Sequence, residues 1–360
     1  MLSVKELLSR AETLTDSVQL VERILRAGFL SGASDIHIDP FAYGVRVRFR
    51  IDGMLEEVLR IPYQSQSALV SRLKVLSSLD IAERRAPQDG GFSWRMAGAG
   101  SIEPLDVRMA TLPVRHGERV TLRLLQSGGK RYSLDELGMS SEDRKVFDEI
   151  LARPHGLVLL TGPTGSGKTT TLYAAILELL KRSSPNIITV EDPIEYEIPG
   201  VLQAEVDSAD KVNFSKALKS ILRHDPDVVM IGEIRDSDSL DAAVKASLTG
   251  HLVLSTLHTN DAKSAAARLV DMGLEETLLT SVLRLVVAQR LVRRLCPKCK
   301  AVQSQDNVCS ECGGRGYRGR IGLFELYAPS TGLLTSMKKD AQSKVDLGIT
   351  TLTEVARVLG

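Results

Sequence analysis

Residues 157–170 read Leu-Val-Leu-Leu-Thr-Gly-Pro-Thr-Gly-Ser-Gly-Lys-Thr-Thr, and their order decides the architecture of the second half of the chain. The apolar run Leu157–Leu160 predicts a buried strand, and Thr170-Thr-Leu-Tyr-Ala-Ala predicts a helix. Between them, Gly162, Pro163, Thr164, Gly165, Ser166 and Gly167 lead into Lys168, Thr169 and Thr170, which satisfies G-x-x-x-x-G-K-[ST]. Such a loop cradles phosphate. Its glycines let backbone N–H groups close around oxygens, and the helix start adds partial positive charge. Lys168 then serves the β- and γ-phosphates, and the Thr169 hydroxyl serves Mg²⁺. These residues imply a bound nucleoside triphosphate.

Further strands are expected at Ile187–Val190, Val228–Ile231 and Leu252–Ser255, with helical stretches between them. That alternation implies an α/β unit with a mainly parallel sheet covered by helices on both faces. Upstream the pattern changes. Asp16 and Gln19 open a helix with Val18, Val21, Ile24 and Leu25 on one face, closed by Gly28. Val45-Arg-Val-Arg-Phe-Arg-Ile alternates strictly, and Asp52-Gly53 predicts a hairpin turn. A helix near Gln64–Leu79 and strands at Leu105–Ala110 and Arg119–Leu125 complete a smaller α+β domain. The domains are therefore set at 1–125 and 134–360, joined by a polar, glycine-containing linker at 126–133.

A chain of 360 residues is long enough for two or three domains. A net charge of +1 offers no basic field for nucleic acid or anionic lipid. Neither a signal peptide nor an apolar run long enough for a membrane span is present, so a soluble cytosolic protein is expected. In a reducing compartment, the four cysteines favour a metal over disulfides. They form two C-x₂-C pairs, Cys296/Cys299 and Cys309/Cys312. Four thiolates make a closed, structural Zn²⁺ site. A redox dithiol competes with that reading but needs only one pair.

Two acidic segments follow apolar strands. The first carries Glu191, Asp192 and Glu195; the second, Asp227-Val-Val-Met-Ile-Gly-Glu233, ends in a charge where Gly232 replaces the more usual aspartate. Mg²⁺ keeps several waters, so such carboxylates act through water as readily as by ligation. His258, at the end of Leu252-Val-Leu-Ser-Thr-Leu, stands where a strand terminus meets the phosphate site.

These four segments together resemble the Walker A loop, aspartate box, Walker B element and histidine box of the hexameric ATPases of type II secretion and type IV pilus assembly. The likeness extends from about residue 16 to 325, through Ala33-Ser-Asp-Ile-His-Ile-Asp-Pro, Ala86-Pro-Gln-Asp-Gly and Gly117-Glu-Arg-Val-Thr-Leu-Arg-Leu-Leu. It implies a RecA-like P-loop domain with a four-cysteine zinc insertion and a short helical tail, preceded by a PAS-like α+β domain. That first domain would supply Arg108 and Arg123 to the phosphates. The resemblance further implies Glu195 or Glu191 polarising the water, with Glu195 assigned here, while Glu233 with Thr169 serves Mg²⁺ and His258 senses the γ-phosphate. Cysteine pairs are a mark of the assembly and secretion branch.

The implied activity is Mg²⁺-dependent ATP hydrolysis driving assembly of a secretion pseudopilus or pilus-like fibre. The implied partners are five further copies in a homo-hexamer, a polytopic inner-membrane platform protein and a membrane-anchored recruitment protein, at the cytoplasmic face of the inner membrane. The chain opens at the first nucleotide-proximal domain, as the shorter competence-type assembly ATPases do. Two rivals stand beside this expectation. A hexameric nucleic-acid motor would need a basic channel and stacking platforms, which a near-neutral chain with 4% aromatic residues does not advertise. A nucleotide-gated scaffold with low turnover would not need both acidic segments.

Overall fold

The computed structural model describes residues 4–9, 16–96, 104–126, 131–206, 214–301 and 309–360. The chain divides into two compact units, Met1–Lys130 and Arg131–Gly360. Residues 127–130 of the expected linker lie outside the described residues.

The first unit begins with helices α1 (Val4–Ser9) and α2 (Ser17–Leu30). Strands β1 (Ala33–Phe41), β2 (Gly44–Ile51) and β3 (Met54–Ile61) follow, then helix α3 (Gln66–Leu76) and strands β4 (Gln88–Trp94), β5 (Leu105–Val114) and β6 (Gly117–Gln126). The strands form one antiparallel sheet in the order β3-β2-β1-β6-β5-β4. Val45, Val47, Phe49 and Ile51 are buried, as their alternation requires. Asp52 and Gly53 both take positive φ, which a two-residue turn between right-twisted strands demands.

Helix α2 departs from expectation in two ways. Asp16 caps it by accepting from the Val18 N–H at 2.8 Å, but Gly28 lies inside the helix rather than at its end. A Cβ at Gly28 would sit 2.7 Å from Ile36 Cδ1, so this glycine serves close packing of the helix on β1. Val18 stays exposed, and the buried stripe is centred on Leu20, Ile24 and Ala27.

In the second unit, α4 (Ser141–Leu151) precedes β7 (Gly156–Thr161), α5 (Lys168–Ser183), β8 (Ile187–Glu191) and β9 (Leu202–Glu205). Next come α6 (Phe214–Ile221), β10 (Val228–Ile231), α7 (Ser237–Leu248), β11 (Leu252–Leu257), α8 (Ala262–Asp271) and α9 (Glu276–Val282). The chain ends with β12 (Leu283–Leu295), β13 (Tyr317–Ala328), β14 (Gly332–Thr335), α10 (Met337–Asp346) and α11 (Leu352–Leu359). The sheet order is β14-β13-β12-β7-β11-β10-β8-β9. From β12 to β9 every neighbouring pair is parallel, and β13 and β14 add an antiparallel edge.

The four strands expected from the sequence are present, each with its apolar run wholly buried. Their side chains alternate between two cores. Leu157, Leu159, Val229 and Val253 face one layer of helices, while Val158, Leu160, Val228 and Leu254 face Tyr173 and Ile176 of α5. A sheet covered on both faces needs apolar residues at every position, hence the unbroken runs.

Two features hold the C-terminal elements. Glu354 of α11 accepts from the Arg293 backbone N–H at 3.0 Å and from Arg293 Nη2 at 2.7 Å, tying α11 to β12. Lys344 and Asp340 of α10 form a buried pair at 2.5 Å, and Asp340 also accepts from the Phe324 N–H of β13 at 2.8 Å.

Candidate active site

The phosphate loop joins β7 to α5, at the carboxyl end of a central parallel strand where ligands of open α/β sheets bind. Gly162, Gly165 and Gly167 all have positive φ. At Gly162 the requirement is also steric, since a Cβ there would lie 2.5 Å from the Gln289 carbonyl oxygen. Lys168 begins α5 and is 8% exposed. Its Nζ donates to the carbonyls of Gly162 at 2.7 Å and Pro163 at 3.3 Å, so the amine folds back over the loop. Burial lowers its pKa below the ordinary lysine value, Glu233 works against that shift, and Arg290 adds to it.

Ser166 Oγ is buried and finds no hydrogen-bond partner among the described residues. An unsatisfied buried hydroxyl costs free energy on the order of 1–3 kcal/mol, and within this loop a phosphate oxygen would satisfy it. The donors present therefore fit an anionic ligand.

Glu233 follows β10 and gathers the other groups. His258 Nε2 lies 3.4 Å from its Oε1, and Arg235 Nε donates to its Oε2 at 3.1 Å. Arg235 also reaches Asp192 Oδ2 at 3.3 Å. The strand end beneath is fixed from β11, where Thr256 Oγ1 donates to the Gly232 carbonyl at 2.8 Å and the Ile234 N–H donates to the Thr256 carbonyl at 3.0 Å. A Cβ at Gly232 would meet the Val190 carbonyl at 3.3 Å, a tight contact with backbone at the position where a carboxylate is usual.

Of the residues singled out from the sequence, the structure thus brings Glu233, His258 and Asp192 into one cluster, electrostatically coupled to Lys168. Glu195 is exposed on the loop after β8. Glu191 is different: at 2% exposure it accepts from Tyr173 Oη, from Thr189 Oγ1 at 2.6 Å and from Gln203 Nε2 at 3.0 Å. Its carboxylate is engaged inside the fold.

Arg108 and Arg123 belong to the first unit. They are direct register partners on β5 and β6, and Arg123 in turn pairs with Asp35 of β1, its Nε donating to Oδ1 at 3.0 Å. Like charges placed opposite each other on a sheet destabilise it, and the Asp35 carboxylate offsets this at Arg123.

Three contributors were not found from the sequence: Gln289, Arg290 and Arg235. Gln289 accepts from Thr171 Oγ1 at 2.8 Å and backs the phosphate loop, while Arg290 donates to the Asn260 carbonyl at 2.7 Å. The only sequence signal for the first two was a polar Gln-Arg pair within the apolar run of β12.

Cys296, Cys299, Cys309 and Cys312 converge, with all four sulfurs within 4.8 Å of one another. Cys296 and Cys309 are 3.8 Å apart and Cys299 and Cys312 are 3.6 Å apart. Tetrahedral zinc with bonds of about 2.3 Å would hold its sulfurs about 3.8 Å apart. Backbone N–H bonds from Cys312 and Glu311 draw the Cys309 thiol down to about 7, while burial pushes the Cys299 thiol up to about 12. The donor set fits zinc. No helix among the described residues is long and apolar enough to cross a membrane.

The family model described as "Type II/IV secretion system protein" matches residues 11–357. The type II secretion system ATPase E of Vibrio cholerae is 44% identical over 402 residues, covering 99% of this chain and 79% of that protein. The type IV pilus assembly ATPase PilB of Myxococcus xanthus is 45% identical over 334 residues, covering 86% of this chain and 58% of that protein. Among solved structures, the Legionella pneumophila ATPase DotB matches with a TM-score of 0.73 at 22% identity, over 96% of both chains.

Proposed function

We infer that this chain, which belongs to the Type II/IV secretion system protein family, is an ATP hydrolase that powers assembly of a type II secretion pseudopilus or a type IV pilus-like fibre. One observation carries the reading: a buried lysine folded over a glycine loop at the end of β7, in the field of a carboxylate that also engages His258 and Arg235. The loop from Gly162 to Thr170 holds the triphosphate. Lys168 exchanges its two loop carbonyls for phosphate oxygens as nucleotide enters. Thr169 and Glu233 hold Mg²⁺, which when bound neutralises charge on the phosphate oxygens. Glu195, free at the surface of its loop, orients and deprotonates the attacking water. His258, resting against Glu233, responds to whether the γ-phosphate is present. Arg108 and Arg123 offer a pair of guanidinium groups to the phosphates, a contribution that in phosphoryl transfer reaches about 10³–10⁵ in rate.

The same reading assigns Zn²⁺ to the four cysteines as a structural ion. It places the chain in a homo-hexamer at the cytoplasmic face of the inner membrane, acting on a polytopic platform protein and docked through a membrane-anchored recruitment protein. Support comes from the family membership and from the intact set of site residues. Domain closure around nucleotide, rather than chemistry alone, would perform the mechanical work.

The test is turnover by the assembled protein. The hexameric fraction should hydrolyse MgATP, and Glu233→Gln should bind nucleotide yet turn over at least about a hundredfold more slowly. A hexamer with no turnover, or one active only with single-stranded DNA, would overturn the assignment.

A further inference from the structure

Below the acidic loop lies a buried polar cluster that touches neither the phosphate loop's carbonyls nor the Glu233 group. Tyr173, on α5 and fully buried, donates its hydroxyl proton to Glu191 Oε2 at the end of β8. The same oxygen Oη then accepts the backbone N–H of Glu195 at 3.3 Å. Glu191 Oε1 receives Thr189 Oγ1 and Gln203 Nε2. Gln203, on β9, also donates to the Tyr196 carbonyl at 3.2 Å and accepts the Ile198 N–H at 2.7 Å. The Tyr196 ring stands edge-on to Tyr173 with centroids 4.7 Å apart. Residues 195–198 are thus clamped to two strands and to the helix that starts at the phosphate loop.

We propose that Tyr173 and Gln203, both anchored on the buried Glu191 carboxylate, are positioning residues that fix the Glu195 segment against the phosphate-loop helix for hydrolysis. This rests on Glu195 as the water-activating group, as read above. The alternative, a satisfied core cluster without functional consequence, does not explain why the tyrosine's accepting lone pair meets the backbone of Glu195 itself. Direction matters here. A phenol has one proton, and Glu191 takes it, so the oxygen is left to accept from the loop. Burial raises the Tyr173 pKa, so the hydroxyl remains a donor across the working pH range. Glu191, with three neutral donors on its two oxygens, is spent on this task and is not the group that meets water or metal. A water-orienting carboxylate tolerates little misplacement, since losses of about 10²-fold follow from shifts of about 1 Å.

Tyr173→Phe removes one oxygen and keeps the ring. The expected result is a kcat about tenfold or more below wild type, with KM for MgATP and the affinity for ADP within about twofold, because the phosphate cradle is untouched. The loss should not add to that of Glu195→Gln, so that the double variant is no slower than Glu195→Gln alone. Gln203→Met, on a partly exposed edge strand and so tolerant of change, should show the same split between kcat and KM, and it keeps the inference testable should Tyr173→Phe fold poorly. Wild-type kcat in both variants beside a crippled Glu195→Gln, or losses that add in the double variant, would overturn the inference alone. Wild-type turnover in Glu195→Gln would instead remove the activator reading, and the inference with it.

Discussion

Replacing Lys168 with alanine isolates the charge at the heart of the phosphate loop. The ammonium group donates to the Gly162 and Pro163 carbonyls and feels the Glu233 carboxylate. A phosphate oxygen about 3 Å away would attract it by about 5 kcal/mol at an effective dielectric of about 20. Surrendering two charge-assisted bonds to carbonyls offsets part of this, leaving about 2 kcal/mol. At 1.36 kcal/mol per decade, the expected loss in kcat/KM is about 30-fold. Stability should barely move, because the variant loses those bonds and at the same time relieves a desolvated cation. Phosphate release measured across MgATP concentrations, with thermal unfolding as the folding control, reads both quantities. A well-folded Lys168→Ala with kcat/KM within about threefold of wild type would refute the site assignment. There is a corollary in pH. Burial holds the lysine below its usual value while Glu233 resists, so turnover should fall off at alkaline pH, and nucleotide binding by Glu233→Gln should fall off at a lower pH than that of wild type.

Glu354→Gln should destabilise the second unit by about 3 kcal/mol in denaturant unfolding, as breaking a buried pair does, and a change under about 0.5 kcal/mol would contradict the docking of α11. Against the opposing effect of burial, Arg357 and Arg293 hold Glu354 down to about 2, so its contribution is complete above pH 4.5 and drains away as pH falls toward 2. Burial and the neighbouring Arg119 lower the pKa of His37 in the first unit, opposed by Asp35 and Asp39 and assisted by Arg50. The unfolded chain then binds the proton more readily, so stability drops as pH falls below 6.5, and His37→Gln should flatten that slope in pH-resolved melts. The purified chain should carry about one zinc, Cys309→Ser should lose it, and a metal-free wild type indifferent to chelators would defeat the thiolate site.

Much of the second unit was legible because its signals are local. Leu157–Leu160, Ile187–Val190, Val228–Ile231 and Leu252–Ser255 are apolar runs too short for helices and are separated by helical stretches, and all four are strands. The glycine loop declared itself by spacing. What escaped depends on contacts between distant segments. Gly28 looked like a stop because glycine usually ends helices, yet Ile36 on the next strand is what requires it. The run Leu283–Leu295 mixes β-branched residues with leucine and arginine and has no period that separates strand from helix, so β12 went unread. Glu191 and Glu195 look alike in the sequence, four residues apart. Only the fold puts Tyr173, Thr189 and Gln203 around one of them and leaves the other at the surface.

The length of β12 has a mechanical consequence. Its carbonyl at Gln289 abuts the first glycine of the nucleotide loop, and its far end at Leu295 leads directly into Cys296, whose N–H is bonded to Gly316 across the hairpin. An extended ribbon resists stretching, and seven residues of it span about 23 Å. The loop's first glycine and the cysteine knuckle thus flank one stretch of β12, so a displacement of that strand along its own axis moves both.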